Sequence, residues 1–527
     1  MSAPLDSPAK TEPVDESVAL PEKVSLETPL SATRAIHAHE IGLAIRNTLQ
    51  LAASLILTWS VALIVKLQVP AHLGPVRQGH FGFAESFAGM FFSTIGLGVD
   101  TYIMKELPVR PKHASDFVGG IFALRAAISI VLFGVILVTL HSTGRPAEIQ
   151  LAVIVFGLSQ FVAAVGSTLG CVMQATSRVG PLAIANVIAK LTWGIGLLIG
   201  LHFEVPLYFL ALPALVAELV RLVVLIPGAR RAASLRYRID SRSVRSVLLA
   251  SLPFFVSGMA IGFGSNLAMS ALEFIRRDER EVGWFAATQN LATLSMLLYP
   301  LLGWVIMPLL SRANARSPIE MMAILRRCIE ALIVLIAPIT ICISVGSELW
   351  IKLAFGIKYA PAAIGLSILS LQFVITYLNI VLSSGLIILG RSWSTTIISL
   401  VAILSMTLFM LVFVPIGRAL FGTGTGGECA GAAMAAIANE LCVIVAMITR
   451  FDVTPIDRRN VAALTKLALL SFMILVLNRL AYRIGFVRIP IDMALYIALM
   501  FATRVVRVSD VRRALRIVQA RRAPAGA

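Results

Sequence analysis

Charged residues are scarce in this chain. Only 14% of its 527 residues are Asp, Glu, Lys or Arg, whereas 58% are hydrophobic and the mean hydropathy is +0.88. Because a soluble globular chain carries about 25% charged residues, this composition excludes a soluble protein. The sequence predicts a membrane protein.

Several chemical motifs are also missing. There is no Gly-x-x-x-x-Gly-Lys-Ser/Thr loop for nucleotide phosphates and no HExxH or similar metal pattern, so no metal or other cofactor is expected. The five cysteines stand singly in or beside apolar segments, without the spacing of a disulfide framework or a zinc site. No long connection leaves room for an extramembrane catalytic domain. The protein is therefore not expected to be an enzyme, and a membrane polysaccharide polymerase or glycosyltransferase is the least favoured reading.

Apolar segments long enough to span a membrane recur along the chain. A helix needs about 20 such residues to cross a hydrocarbon core of about 30 Å. Fourteen segments qualify: residues 48–69, 81–103, 117–141, 148–173, 179–201, 206–227, 246–272, 282–308, 328–347, 361–389, 394–416, 428–449, 462–480 and 488–506. Lys466 interrupts the thirteenth, and Asp492 with Arg504 shortens the last. We predict an all-α polytopic membrane protein with about fourteen transmembrane helices.

Basic residues give the expected orientation. The net charge is +17, and Lys and Arg concentrate in every second connection, including 228–245 with its six arginines. The positive-inside rule then places both termini in the cytoplasm. No soluble basic domain exists to bind nucleic acid. The basic C-terminal tail is either a topology signal or a segment that lies on anionic membrane lipids.

A short internal echo suggests a duplicated architecture. GHFGFAES at 79–86 resembles GWFAATQN at 283–290, and the offset of 204 residues brings the first apolar segment onto the seventh. Such repeats are typical of secondary transporters, with the substrate path between the halves. The predicted parts are a disordered cytoplasmic tail (1–45), an N-terminal six-helix lobe (46–227), a basic cytoplasmic linker (228–245), a C-terminal six-helix lobe (246–450), two extra transmembrane helices (451–507) and a basic cytoplasmic tail (508–527).

Longer motifs resemble a known family. HLGPVRQGHFGFAES followed by IGLGVDTYIMKE resembles the first hairpin of bacterial polysaccharide-transport proteins, the O-antigen flippase group of the multidrug/oligosaccharidyl-lipid/polysaccharide superfamily. VGWFAATQNL, LLYPLLGWVIMPLLSRA, LAFGIKYAPAAIGLSILSLQF and GGECAGAAMAAIANEL resemble it in the same order, so the resemblance covers most of residues 46–450. In that hairpin, Leu73, Gly74 and Pro75 are predicted to form the outer turn, and Gly79 and Gly82 to allow close backbone approach.

The resemblance implies a V-shaped bundle in the bacterial inner membrane. Such a protein moves a lipid-linked oligosaccharide, typically on undecaprenyl pyrophosphate, to the outer leaflet for surface polysaccharide biosynthesis. The partners implied are this substrate, membrane lipids and other polysaccharide-assembly membrane proteins; a monomer is compatible with the sequence. The alternative is a drug or amphiphile exporter of the same superfamily. That branch typically carries an acidic residue in its first helix, and the first apolar segment here has none.

Two cations lie deep in apolar segments of the first half. At a helical rise of 1.5 Å per residue, Arg125 lies about 12 Å and Lys190 about 15 Å from the cytoplasmic edge of the membrane. Neither has an acidic residue one helical turn away. An acid on another helix, water in a cavity or an anionic substrate must compensate each charge. We expect both to line an electropositive cavity. Glu218 and Arg221, spaced i and i+3, are expected to pair, in a structural or a substrate-binding role.

The second half offers amides rather than cations at this depth. The candidates are Gln289, Asn290, Gln372 and Asn379, together with Glu440. They suit sugar hydroxyls, as cations suit a pyrophosphate, although hydrogen bonds between helices are an equally good explanation. Three further charges, Lys66, Glu85 and Asp100, lie near the ends of their predicted helices and are expected to reach the membrane interface.

Overall fold

The computed structural model describes residues 30–107, 114–176, 179–233, 241–294, 299–480 and 485–503, which form helices joined by short connections, with no strand. The described residues from Leu51 onward form one compact unit, and the described residues up to Gln50 belong to another. The all-α membrane fold predicted from the sequence is confirmed. The α-helices are α1 Leu30–Phe92, α2 Val99–Glu106, α3 Ala114–Ser142, α4 Ala147–Ala175, α5 Val179–His202, α6 Leu207–Ala233, α7 Ser241–Ile275, α8 Glu279–Leu294, α9 Tyr299–Arg316, α10 Pro318–Val345, α11 Ser347–Phe355, α12 Ala362–Leu369, α13 Gln372–Ile388, α14 Ser392–Phe421, α15 Gly427–Ile448, α16 Arg458–Leu480 and α17 Arg488–Ala502.

Twelve helices of the described residues are long and apolar enough to cross a membrane. The first of them, Ala53–Gly96, has 44 residues and contains two of the fourteen predicted segments. Predicted segment 282–308 corresponds to α8 and α9, between which residues 295–298 lie outside the described part. The two counts therefore describe the same arrangement of apolar segments.

Two predicted boundaries differ from the structure. α1 begins at Leu30, so residues 30–45 of the segment expected to be disordered are helical; the prolines end at Pro29, and the alanine-rich sequence that follows favours a helix. The linker predicted at 228–245 is shorter, because α6 continues to Ala233 and α7 starts at Ser241. Residues 234–240, the first 29 residues and the tail at 508–527 lie outside the described residues.

The predicted turn at Gly74 is present. Gly74 has φ 72° and ψ 169° and interrupts α1, where glycine is tolerated because it has no Cβ. Lys66 and Glu85, on opposite sides of Gly74, line the same two cavities. A straight helix would hold these two residues about 28 Å apart at 1.5 Å per residue. The chain therefore folds back at Gly74.

Helix α7 packs against both halves of the chain. It contacts α14 of the second half, and α2, α3 and the 3₁₀ turn Ser93–Gly96 of the first. The division into two six-helix lobes stays a prediction, and below we use "first half" for residues 46–227 and "second half" for 246–450. Helices α16 and α17 pack against each other and against α10.

Gly79 and Gly283, the first residues of the two similar segments, lie close together in the structure. A Cβ added to Gly79 would lie 2.9 Å from the backbone nitrogen of Gly283, and one added to Gly283 would lie 1.7 Å from the carbonyl oxygen of Pro75. The close backbone approach expected at Gly79 is thus confirmed. Gly283 itself lies within α8.

We expect Gly283→Ala to destabilise the protein by about 1–3 kcal/mol, as overpacking of a tight contact does. The new methyl group must push the Pro75 backbone away. The measurement is the thermal unfolding midpoint in detergent. Gly134→Ala is the matched control, since a Cβ there meets nothing within 4 Å. An unfolding midpoint for Gly283→Ala equal to or above that of the control would contradict the close contact.

Candidate functional site

A central cavity of about 1290 Å³ lies between the two halves. From the first half, the two arms of α1 around Gly74 line it, with Gln160 of α4 and Trp193 of α5. From the second half, α7, α8, α13, α14 and α15 line it. The cavity therefore lies where a substrate path between two duplicated halves is expected.

A second cavity of about 900 Å³ lies within the first half. It is lined by α1, α4, α5 and α6. Lys66, Glu85, Gln160 and Trp193 line both cavities. These four side chains form the junction, so a ligand at the junction contacts both spaces.

Lys190 lines the first-half cavity, as expected for a cation at that depth. Its Nζ lies 3.6 Å from the ring centroid of Trp193, a cation–π contact. The charged groups that act on it are Glu85, Lys66 and Glu218. In the described part of the chain, neither glutamate lies within ion-pair distance of the Lys190 ammonium group. The charge of Lys190 is therefore only partly compensated by the protein.

The i, i+3 pair predicted on α6 is confirmed. Arg221 Nη1 donates to Glu218 Oε2 at 3.2 Å, and both half-exposed side chains line the first-half cavity. The Nε of Arg221 is buried and makes no hydrogen bond in the described part of the chain. The pair therefore lies in the wall of the cavity.

Arg125 does not join Lys190 in a cavity, which corrects the expectation for this residue. Its side chain is 0% exposed and lines neither cavity. Its guanidinium donates to Thr168 Oγ1 at 2.6 Å, to the Gly96 carbonyl at 2.8 Å and to the Ala164 carbonyl, and it lies 3.5 Å from Asp100 Oδ1. The acid that compensates Arg125 comes from α2, which the spacing along α3 did not reveal.

Asp100 is accordingly not a residue that only reaches the membrane interface. Its Oδ1 accepts from Thr168 at 2.9 Å and its Oδ2 accepts from Ser167, so α2, α3 and α4 meet at this carboxylate. Arg125 and Asp100 are structural residues that join three helices.

The five second-half candidates all line the central cavity: Gln289, Asn290, Gln372, Asn379 and Glu440. Three of them form a cluster. Gln372 Nε2 donates to Glu440 Oε1 at 3.3 Å, and Asn379 Nδ2 donates to Glu440 Oε2. Gln372 and Asn379 are two turns apart on α13, so both amides face the carboxylate on α15.

Lys66 and Glu85 are cavity residues that the sequence analysis placed at the membrane interface. Each of them lines both cavities. Asn266 of α7 and Asn439 of α15 are further polar lining residues that were not selected. For Lys66 and Glu85, the sequence feature that indicated this position was the turn at Gly74, because a chain that folds back there brings the charged residues of its two arms together.

The two cavities differ in charge within the described residues. The central cavity has one cation, Lys66, and two carboxylates, Glu85 and Glu440. The first-half cavity has three cations, Lys66, Lys190 and Arg221, and two carboxylates, Glu85 and Glu218. An anionic group is therefore stabilised on the first-half side of the junction rather than against the second half.

Contacts between the halves close the end of the bundle near Gly74. Tyr359 Oη donates to the Pro70 carbonyl at 2.9 Å. Arg145 pairs with Glu273, and its guanidinium lies 5.4 Å and 5.1 Å from the ring centroids of Phe83 and Phe274. These contacts must break if the central cavity is to open at this end.

Comparison with known proteins bears on this architecture. Residues 44–314, just over half of the chain, match the family model described as polysaccharide biosynthesis protein. A comparison with the curated proteins finds no match.

Solved structures with a similar fold include an inward closed conformation of the lipid II flippase MurJ. It has a TM-score of 0.66 at 11% identity, covering 88% of this chain and 100% of that one. An inward-facing multidrug resistance MATE family transporter of the MOP superfamily has a TM-score of 0.59 at 14% identity, covering 75% and 94%. A mutant of the MATE transporter VcmN of Vibrio cholerae has a TM-score of 0.52 at 16% identity, covering 76% and 97%. These likenesses show the fold of that superfamily.

Proposed function

Because the chain belongs to the family of polysaccharide biosynthesis proteins, we propose that it moves a lipid-linked oligosaccharide from the cytoplasmic to the outer leaflet of the bacterial inner membrane. The substrate would be an oligosaccharide on undecaprenyl pyrophosphate, used for a surface polysaccharide such as O-antigen. The positive-inside bias supports an orientation with both termini in the cytoplasm. The lipid II flippase MurJ, whose fold this chain shares, is named for a related task.

The observation that carries the proposal is the joined pair of unlike cavities. One is rich in cations and the other is lined by amides, and they meet at Lys66, Glu85, Gln160 and Trp193. A pyrophosphate needs cations, and sugar hydroxyls need neutral donors and acceptors. We assign the pyrophosphate to the Lys66 and Lys190 side and the sugars to the second-half wall.

Movement would follow an alternating-access cycle. Opening at the Gly74 end requires separation of Arg145 from Glu273 and of Tyr359 from Pro70, contacts that join the two halves. The substrate gains most from binding when both walls approach it, which favours closure around the bound headgroup. The polyprenyl chain would remain in the lipid while the headgroup crosses.

A second candidate is an exporter of amphiphilic cations. The observation in its favour is the excess of carboxylates in the central cavity, since Glu85 and Glu440 outnumber Lys66 there. Such a cavity suits an organic cation better than an anion.

The two functions predict opposite results in one experiment. The purified protein is reconstituted in liposomes that contain a polyprenyl-diphosphate disaccharide, and glycan that reaches the other leaflet is cleaved by an impermeant glycosidase. We expect cleavage to exceed that in protein-free liposomes, and no transport of the organic cation tetraphenylphosphonium. Transport of tetraphenylphosphonium without glycan movement would establish the exporter instead.

A further inference from the structure

We propose that Glu440 makes the central cavity a charge filter, so that the glycan moved by this protein carries no carboxylate or sulfate group. This inference rests on the proposed function and specifies its substrate class. Its starting point is the wall that the second half contributes to the cavity. Among the described residues of that wall, Glu440 is the charged one, and no Lys or Arg accompanies it. The polar remainder consists of amides and hydroxyls, including Asn266, Gln289, Asn290, Gln372, Asn379 and Asn439.

Glu440 is held in place by neutral partners. Both of its carboxylate oxygens accept amide N–H groups, from Gln372 and from Asn379 on α13. In the described part of the chain, no basic residue lies within ion-pair distance of it, and its side chain is partly exposed in the central cavity, where water solvates the ionised form. Amide donors stabilise the ionised carboxylate without cancelling its charge. The negative charge therefore remains to act on whatever occupies the cavity.

An acidic sugar at the second-half wall would meet this charge with no compensating cation on that wall. Two like charges about 6 Å apart at an effective dielectric constant of about 20 repel enough to lower binding roughly a hundred-fold. Lys190 and Arg221 line the first-half cavity and not the central one. Lys66, which lines both cavities, is assigned together with Lys190 to the pyrophosphate. A neutral sugar avoids the repulsion and finds amide partners along the same wall.

The test uses two polyprenyl-diphosphate disaccharides that differ only at C6 of one sugar, a hydroxymethyl group in one and a carboxylate in the other. Each is supplied to the reconstituted protein in the same liposomes, and the initial rates of glycan movement are compared. We expect the neutral substrate to move at least about ten-fold faster. Equal rates for the two would overturn the charge filter and leave the proposed function intact. If neither substrate moves, the proposed function itself fails.

Variants connect the preference to Glu440. The readout is the ratio of the two rates, which does not depend on the amount of active protein. Glu440→Gln keeps the size of the side chain and should bring the ratio roughly ten-fold closer to one. Asn439→Asp adds a second carboxylate to the wall while it can still accept the Ser405 hydroxyl, which lies 2.6 Å from Asn439 Oδ1. It should increase the preference for the neutral substrate.

Glu348→Gln is the matched control. Glu348 pairs with Lys352 Nζ at 2.7 Å on α11 and lines neither cavity, so its loss should leave the ratio unchanged. A Glu440→Gln protein that slows both substrates equally would show that Glu440 acts in folding or in the transport cycle, and the filter would be rejected. If Glu440→Gln does not fold, the wild-type ratio and the Asn439→Asp ratio still decide the question.

Discussion

Lys190→Ala is expected to remove most of the glycan movement while the amount of protein in the membrane stays unchanged. A lone cation at this depth costs at least about 2.5–3.5 kcal/mol on insertion scales, and its contact with Trp193 at 3.6 Å compensates only part of that cost. A hydrogen bond to a charged phosphate contributes about 1.5–3 kcal/mol. Loss of the ammonium group should therefore lower the rate by about ten- to a hundred-fold.

Two further substitutions of Lys190 distinguish the effect of its charge from the effect of its shape. Lys190→Arg keeps the cation but replaces a point charge by a planar fork, so part of the activity should remain. Lys190→Met keeps much of the length without the charge and should be as inactive as Lys190→Ala. The measurements are the rate of glycan cleavage in liposomes and the protein level in membranes.

Lys466→Ala is the control for the loss of a lysine from an apolar helix. Lys466 is exposed on α16, donates to the Thr503 carbonyl at 3.1 Å and lines neither cavity. Its replacement should leave transport intact. Normal transport by Lys190→Met would refute the binding role of Lys190.

Arg125→Met is expected to have the opposite signature, with loss of folded protein rather than of transport alone. The substitution leaves Asp100 without its cation and removes the guanidinium donor from the carbonyls of Gly96 and Ala164. Breaking a buried ion pair from one side costs about 3–5 kcal/mol. Since the Asp100 side chain is 32% exposed, we expect a value near the lower end of that range.

A second substitution tests this explanation of Arg125. Asp100→Asn combined with Arg125→Met removes the orphaned carboxylate and should recover part of the lost stability. Arg316→Met is the surface control, because its pair with Glu320 at 2.9 Å is exposed and contributes at most about 1 kcal/mol. The thermal unfolding midpoint in detergent measures all three proteins. An Arg125→Met protein with a wild-type midpoint and no transport would show that Arg125 contacts substrate after all.

The candidate site was predicted in part from the sequence. Lys190 and the Glu218–Arg221 pair were identified by depth and spacing, and the five polar residues of the second half all line the central cavity. Arg125 met the same depth criterion and proved to be fully buried among other helices. Distance along a helix thus identified charges within the apolar segments but did not distinguish charges that face a cavity from charges that have a partner on another helix.

The sequence by itself determined the helical segments and the turn at Gly74. A helix needs about 20 apolar residues to cross a bilayer. The hydrocarbon core offers no hydrogen bonds to backbone N–H and C=O groups, so these groups pair within the helix. Composition along the chain is therefore enough to predict the helices. The positive φ of Gly74 likewise reflects a local property of glycine beside proline. These features need no information from distant residues.

Only the tertiary structure decided what each buried charge does. Arg125 meets the Gly96 carbonyl, Asp100 and Thr168, which belong to three different elements. Lys66 and Glu85 reach the cavities because α1 folds back and both of its arms line them. The physical reason is that depth follows from the rise of 1.5 Å per residue, whereas the direction a side chain faces depends on how its helix is rotated against its neighbours. That rotation is fixed by packing between segments far apart in sequence.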